Sequence, residues 1–273
     1  MYENKIATLK YQEIILNCTE KIKSRNGITY RSQVPNMAVF SEAPLITCRP
    51  VAWKQSLHEW EWFMKGATNI SELHESVRHW WEPFARKDGE LYNGYGQQFQ
   101  EYTGWDWDES DSISLNQINY IIKLIKEDPT SRRIVLSVWN SAEMTRASLP
   151  CCHNTATQFF VRNDGTLDLQ TYQRSCDVML GLPHNWTQMW AFLQWVAHRT
   201  GKKVGKLIWV GGDVHIYESH FGIAQNIANY SLESCQDSPK LIYNPTSEEF
   251  KADDFTLSQK INARSKTKLK MIA

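Results

Sequence analysis

The run Pro150-Cys151-Cys152-His153 sets two thiols beside an imidazole in a proline-bounded loop. A cysteine attacks carbon only as the thiolate, so such a loop needs a cation or hydrogen-bond donors nearby. Without them, both cysteines are small buried apolar side chains. Arginine supplies charge without titrating, and one lies downstream in Gln173-Arg174-Ser175-Cys176-Asp177, followed by Leu180-Gly181-Leu182-Pro183-His184-Asn185. An arginine, a hydroxyl, a carboxylate and an amide within so short a stretch suit a polar ligand, although each alone is an ordinary surface or capping group. A third cluster, Gly211-Gly212-Asp213-Val214-His215-Ile216-Tyr217, puts His215 and Tyr217 on one side if the segment is extended. Two acids, Glu59 and Glu61, sit among Trp53, Trp60 and Trp62 in a breaker-free segment running to Gly66, where a buried helix would make them unusual.

The elements that position these groups follow from periodicity and breakers. Tyr11 to Lys23 carries Ile14, Ile15, Cys18 and Ile22 at a helical spacing, and Ser24-Arg25-Asn26-Gly27 breaks it as a turn. Short apolar runs between Met37 and Thr47 suit strands, whereas the acidic, tryptophan-rich stretch from Glu101 to Asp111 suits a loop or insertion. Leu115, Ile118, Ile122 and Ile125 mark an amphipathic helix stopped at Asp128-Pro129. Arg133 to Trp139 and Thr157 to Arg162 are strand-like, and Asn163-Asp164-Gly165 is a hairpin turn into Thr166 to Gln173. Thr187 is placed to cap a helix that stops at Gly201; Lys206 to Val210 reads as strand and Glu218 to Tyr230 as helix. No repeat or proline-rich linker intervenes, so the expectation is one α+β domain over residues 1–273.

Bulk properties exclude several classes. Lysine plus arginine equals aspartate plus glutamate at 30 each, so no global field draws the chain to nucleic acid or an anionic membrane. The six cysteines form no CxxC pair or His/Cys ligand spacing, which predicts reduced thiols, no metal and a cytoplasmic setting. No apolar run approaches the roughly 20 residues of a membrane-spanning helix. Twelve tryptophans supply flat surfaces for a core or for ring-shaped ligands.

Taken in order, Cys152-His153, Gln173-Arg174-Ser175, Asp177, Leu180-Gly181, Pro183, Asn185 and Gly212-Asp213-x-His215-x-Tyr217 resemble the signature of thymidylate synthases and pyrimidine-nucleotide hydroxymethylases. Ser131-Arg132-Arg133 resembles that family's arginine pair, and His58-Glu59 with Thr68-Asn69-Ile70 its early helix and the following segment. Ordered motifs from about Arg25 to the tail are far more specific than any single match. The resemblance implies a thymidylate synthase-like mixed sheet packed with helices, dUMP as substrate and 5,10-methylenetetrahydrofolate as one-carbon donor.

The resemblance also implies roles. Cys152 adds to uracil C6, so that C5 becomes nucleophilic, the usual gain of covalent catalysis. Arg174, Arg25 and, from a second subunit, Arg132 and Arg133 clamp the 5′-phosphate, with Ser175 nearby; whether Arg25 or Arg31 is the loop arginine stays open. His215 and Tyr217 hold the deoxyribose hydroxyl. Asn185 accepts from N3–H and donates to O4, where the family's cytidylate enzymes carry aspartate. Glu59 organises proton transfer at O4, Tyr95 assists removal of the C5 proton, and Asp177 binds the pterin. Trp81, Phe84, Leu149, Leu180, Gly181, His184 and the terminal Ala273 line the folate side. The active unit is a homodimer sharing two sites, with no obligate nucleic acid.

Two products compete in this family: hydride from the departing folate yields dTMP, whereas water yields 5-hydroxymethyl-dUMP. Pro183-His184-Asn185-Trp186 replaces the synthases' Pro-Phe-Asn-Ile, putting a hydrogen-bonding ring on the folate wall. Glu59-Trp60-Glu61-Trp62 resembles the hydroxymethylases, Asn93-Gly94-Tyr95-Gly96 replaces Pro-Val-Tyr-Gly, and Phe84 stands where a second tryptophan is usual. Trp81 and the tail Lys268-Leu269-Lys270-Met271-Ile272-Ala273 resemble the synthases instead. The expectation from these features is the hydroxymethyl product, suiting a bacteriophage-like source. Methylation to dTMP is the alternative, and a catalytically idle nucleotide-binding member a minor one.

Overall fold

The computed structural model describes residues 3–267 and 269. Its helices are α1 (Ile6–Asn17), α2 (Trp53–Met64), α3 (Glu75–Trp81), α4 (Tyr95–Gln100), α5 (Gln117–Glu127), α6 (Ser141–Met144), α7 (Leu182–Thr200) and α8 (Glu218–Ala228). The strands are β1 (Cys18–Ser24), β2 (Gly27–Ser32), β3 (Asn36–Phe40), β4 (Tyr102–Asp106), β5 (Asp111–Leu115), β6 (Val135–Leu136), β7 (Ala156–Val161), β8 (Thr166–Asp177), β9 (Lys203–Tyr217), β10 (Leu241–Tyr243) and β11 (Phe255–Leu257). One seven-stranded sheet runs β1-β2-β9-β8-β7-β6, with β3 also paired to β9. Among the described residues only β8 and β9 run parallel, joined by the crossover helix α7; the other pairs of this sheet are antiparallel. The sheet is mixed and the fold α+β, as expected.

Alternation along the strands decides which face is covered. In β3, Asn36, Ala38 and Phe40 are buried while Met37 and Val39 are exposed. In β8, Leu169, Thr171 and Gln173 are buried while Gln170 and Tyr172 are exposed. Helix α7 packs on the covered face and against α2. Trp60, Phe99, Phe159 and Phe192 fill the space between these layers as edge-on and tilted aromatic pairs.

Several expected boundaries move, each for a physical reason. The first helix ends at Asn17, and the alternating Cys18–Ser24 segment is strand β1, because β2 offers it a ladder. Leu115 belongs to β5, and the following helix starts at Gln117, capped by the Asn116 side chain on the Asn119 N–H. Thr187 is not a cap: α7 begins at Leu182 with Pro183 in its first turn, and Thr187 Oγ1 donates back to the Pro183 carbonyl at 2.9 Å. The acidic tryptophan-rich stretch is a β4–β5 hairpin, with Trp105 opposite Ser112, rather than a loop. Between Arg133 and Trp139 only Val135–Leu136 is strand.

Candidate active site

The Cys152 loop is threaded between α4 and the end of β8. The Tyr95 hydroxyl, on the first turn of α4, accepts the Cys152 N–H at 2.6 Å and the His153 N–H at 3.2 Å, while the Ser175 N–H donates to the Cys152 carbonyl at 3.2 Å. Two lone pairs of the phenol are thereby used, and its own hydrogen remains to donate. Arg174 reaches in from β8. Its Nε donates to the Cys151 carbonyl at 3.2 Å, its Nη2 lies 3.9 Å from Cys152 Sγ, and its plane stacks on Trp139 at 4.7 Å.

Cys152 is half-buried, whereas Cys151 is fully buried. Burial pushes the Cys152 thiol above its ordinary range and Arg174 pulls the other way. One guanidinium at this distance does not outweigh desolvation. Burial pushes Cys151 further, to a more inert thiol. His153 is held by Asn154 Oδ1 at 2.8 Å and stacks on Tyr95; burial lowers it to about 4, so the ring is neutral packing near pH 7.

A second group of residues forms a chain of side-chain hydrogen bonds. Trp209 Nε1 donates to Gln173 Oε1 at 2.8 Å, and Gln173 Nε2 donates to Asn185 Oδ1 at 2.9 Å. Asn185 Nδ2 donates to Gln188 Oε1 at 3.2 Å, and Gln188 Nε2 donates to Glu59 Oε2 at 2.7 Å. Glu59 Oε1 accepts from Trp81 Nε1 at 2.5 Å. This chain fixes which end of the Asn185 amide is oxygen. It leaves one lone pair on Oδ1 and one hydrogen on Nδ2, the pair that a uracil edge requires. Desolvation raises Glu59 to about 7 against both hydrogen bonds, so acid and carboxylate coexist at neutral pH.

Gln188 and Trp209 have no place in the sequence-based site. The signal for Gln188 is its position three residues after Asn185 on one helix face. Trp80 was also missed; its ring lies 5.2 Å from that of His184, and only its adjacency to Trp81 hinted at it.

Asp177 ends β8 and caps the turn into α7: its Oδ1 accepts the Met179 N–H at 2.9 Å and the Leu180 N–H at 3.1 Å. Burial raises its carboxyl, opposed first by the Leu180 N–H. Gly181 follows in that turn, where a Cβ would meet both Asn185 Oδ1 and the Asp177 carbonyl at 3.3 Å. Leu149, Leu180 and Phe84 are half-buried, and Phe84 lies 6.3 Å from Trp81, centroid to centroid. His184 Nε2 accepts the Ala52 N–H at 3.1 Å. Burial lowers it to about 3, so it is a neutral, tied ring. Ala273 lies outside the described residues.

A hollow of about 200 Å³ lies at the β1–β2 turn, to which Arg25, Ser175, His215 and Tyr217 all contribute. Gly27, at φ 111, lets the chain turn there, and Arg25 stands exposed on that turn. His215 and Tyr217 share one face of β9, with His215 Nδ1 3.1 Å from Asp213 Oδ1. Arg132 and Arg133 are exposed just before β6 and line no part of this hollow in the single chain; the Arg132 carbonyl accepts from Gln158 and the Arg133 carbonyl from Tyr120.

The structure thus brings Cys152, Arg174 and Tyr95 together, and Asn185 together with Glu59 and Trp81. The arginine pair stays apart. The chain is 41% identical over 182 residues to a thymidylate synthase of Buchnera aphidicola subsp. Schizaphis graminum (strain Sg). That match covers 67% of this chain and 66% of the relative, so the chain spans just under two thirds of that protein's length. The family model described as Thymidylate synthase matches residues 8–273, a span that contains every element of both hydrogen-bonded groups. A family match over nearly the whole chain, with a relative 41% identical, places the chain in the thymidylate synthase family.

Proposed function

We propose that the chain transfers a one-carbon unit from 5,10-methylenetetrahydrofolate to C5 of dUMP and releases dTMP. The observation that carries this reading is the fixed Gln173–Asn185–Gln188–Glu59 chain beside the Cys152 loop. It presents an acceptor and a donor to a uracil edge and an acid poised near neutrality within one connected unit.

Cys152 Sγ would bond to C6, and the electron pair displaced from the C5–C6 double bond would move onto O4. Glu59, half protonated near pH 7, would supply or accept the proton at that oxygen. Tyr95 would hold the Cys152 backbone through both oxygen lone pairs, so the C5 proton, which leaves once the new C5–carbon bond has formed, would pass to solvent and not to this phenol, and the Cys152–C6 bond would break to release product. The folate supplies carbon at the methylene level and, for dTMP, the hydride. The residues present fit it: Trp80, Trp81 and Phe84 offer flat faces, and the close approach at Gly181 keeps the turn beside Asp177 free of a side chain.

The methyl product is favoured over the expected hydroxymethyl product. The relative identified above is a thymidylate synthase, and two of the four sequence features that suggested water trapping have other employment. His184 spends its Nε2 on the Ala52 N–H. Glu61 pairs with Lys65 at 2.6 Å and accepts the Ala252 N–H at 2.9 Å, away from the reacting groups.

The homodimer is part of the same proposal. Met37 is 63% exposed and shares an uncovered sheet face with Val39 and Tyr172, the apolar surface a second copy would bury. Arg132 and Arg133 would then cross into the partner's hollow, adding the positive charge that Arg174 alone does not supply.

Mass spectrometry of the nucleotide product, with dihydrofolate absorbance followed in the same tube, tests the reading. A gain of one methyl with oxidised folate is expected; a hydroxymethyl product with unoxidised folate would reject it.

A further inference from the structure

Strand β2 contributes more to the nucleotide hollow than its turn. Its antiparallel register on β9 sets Thr29 opposite Tyr217 and Arg31 opposite His215. Directly opposed residues share a face, so Thr29 and Arg31 join His215 and Tyr217 on the side that lines the hollow. The parallel register of β8 adds Ser175 opposite Asp213 on that side.

Two polar atoms there lack partners among the described residues. Thr29 is 2% exposed, yet its Oγ1 makes no hydrogen bond, and Arg31 Nε is buried and equally unpaired. Arg31 Nη2 meets Asp213 Oδ2 at 2.9 Å. That ion pair is partly exposed and contributes little to stability, so it explains neither the unpaired Nε nor the threonine hydroxyl. Valine would fill the threonine's volume without burying an unpaired hydroxyl. Two arginines against one carboxylate leave the hollow net positive, and unmet donors beside that charge complement anionic oxygens.

We propose that Arg31 and Thr29 contact the 5′-phosphate of the bound nucleotide directly, so that the β1–β2 hairpin grips it with two arginines, Arg25 and Arg31, and a buried hydroxyl. This rests on the reading that the site takes dUMP. Arg31 also neutralises Asp213, whose carboxylate would otherwise repel the phosphate across the same hollow.

Equilibrium binding of dUMP and of deoxyuridine, followed by tryptophan fluorescence, tests the assignment with Thr29→Val and Arg31→Gln. Each substitution is expected to weaken dUMP binding about tenfold or more, as loss of a charge-assisted hydrogen bond should. Deoxyuridine binding should be unchanged, the Thr29→Val protein should melt at the original temperature, and Arg31→Lys should recover part of the affinity. Equal dUMP affinity in both variants, or a matching loss toward deoxyuridine, would overturn the assignment. If the unaltered protein binds no dUMP, the proposed function fails, and titration with inorganic phosphate still decides this point. Phosphate binding lost in both variants supports the contacts; phosphate binding equal in all three proteins, or absent from the unaltered one, removes them.

Discussion

Asn185 and Glu59 are two hydrogen bonds apart, joined by Gln188, which accepts from the amide at 3.2 Å and donates to the carboxylate at 2.7 Å. The group proposed to read the base and the group proposed to move its proton are therefore positioned by one buried side chain. Gln188 Nε2 is anchored in turn on the Ser56 carbonyl at 2.9 Å.

Gln188→Leu keeps the volume and removes both bonds. It should lower kcat/KM for dUMP by roughly 10- to 100-fold, the cost of leaving a buried charged acceptor and an amide unpaired. In a double-mutant cycle with Glu59→Gln the losses should fall short of additive, because both substitutions break one network. Strict additivity would show that Gln188 does not couple the two.

Glu59 also makes stability depend on pH. Its folded pKa is raised from 4.5 to about 7, so the unfolded chain ionises first. Stability is fully present below about pH 4.5 and is lost as pH rises through about 7, by roughly 3 kcal/mol in all. Glu59→Gln removes that penalty. The melting temperature of the variant relative to the unaltered protein should rise between pH 5 and pH 8.5; a pH-independent difference would contradict the buried, raised carboxyl.

Asn185→Asp retains the acceptor that meets Gln173 Nε2 but turns a second oxygen toward Gln188 Oε1. Gln188 cannot readily reverse, because its amide nitrogen already serves Glu59 and Ser56. Activity on dUMP should fall by roughly 10²- to 10⁴-fold, as expected when a site loses its hydrogen-bond match. Initial rates with dUMP and dCMP check it, and undiminished dUMP turnover would remove Asn185 as the base reader.

Mixing Cys152→Ala protein with Arg133→Ala protein tests the shared site. Hybrid dimers would hold one site with both groups intact, so activity should return to about a quarter of the unaltered level if exchange is statistical. No recovery after confirmed subunit exchange would place the arginines elsewhere.

The groups proposed to carry chemistry, Cys152, Asn185 and Glu59, were singled out by residue type and order alone, without coordinates. The sequence-based strand stopped at Val210, and His215 shared a side with Tyr217 only if the chain stayed extended; β9 does run on to Tyr217 and sets them on one face. The connections were not legible in the sequence. Trp209, Gln173, Asn185, Gln188, Glu59 and Trp81 come from five separate elements, and no local pattern reports that their side chains meet. His184 shows the limit most plainly: its ring suggested a water site, but the Ala52 N–H that occupies Nε2 is 132 residues away in sequence. Helix α7 likewise began before Thr187, because packing on the sheet and on α2 decided its start over a local capping preference.

Without a bond between Cys152 Sγ and the pyrimidine, C5 stays unreactive. Release of tritium from dUMP labelled at C5, supplied with methylenetetrahydrofolate, measures that step directly. Cys152→Ala should fold, retain nucleotide binding and release tritium at less than about a thousandth of the unaltered rate. Release at the unaltered rate would contradict the need for that bond.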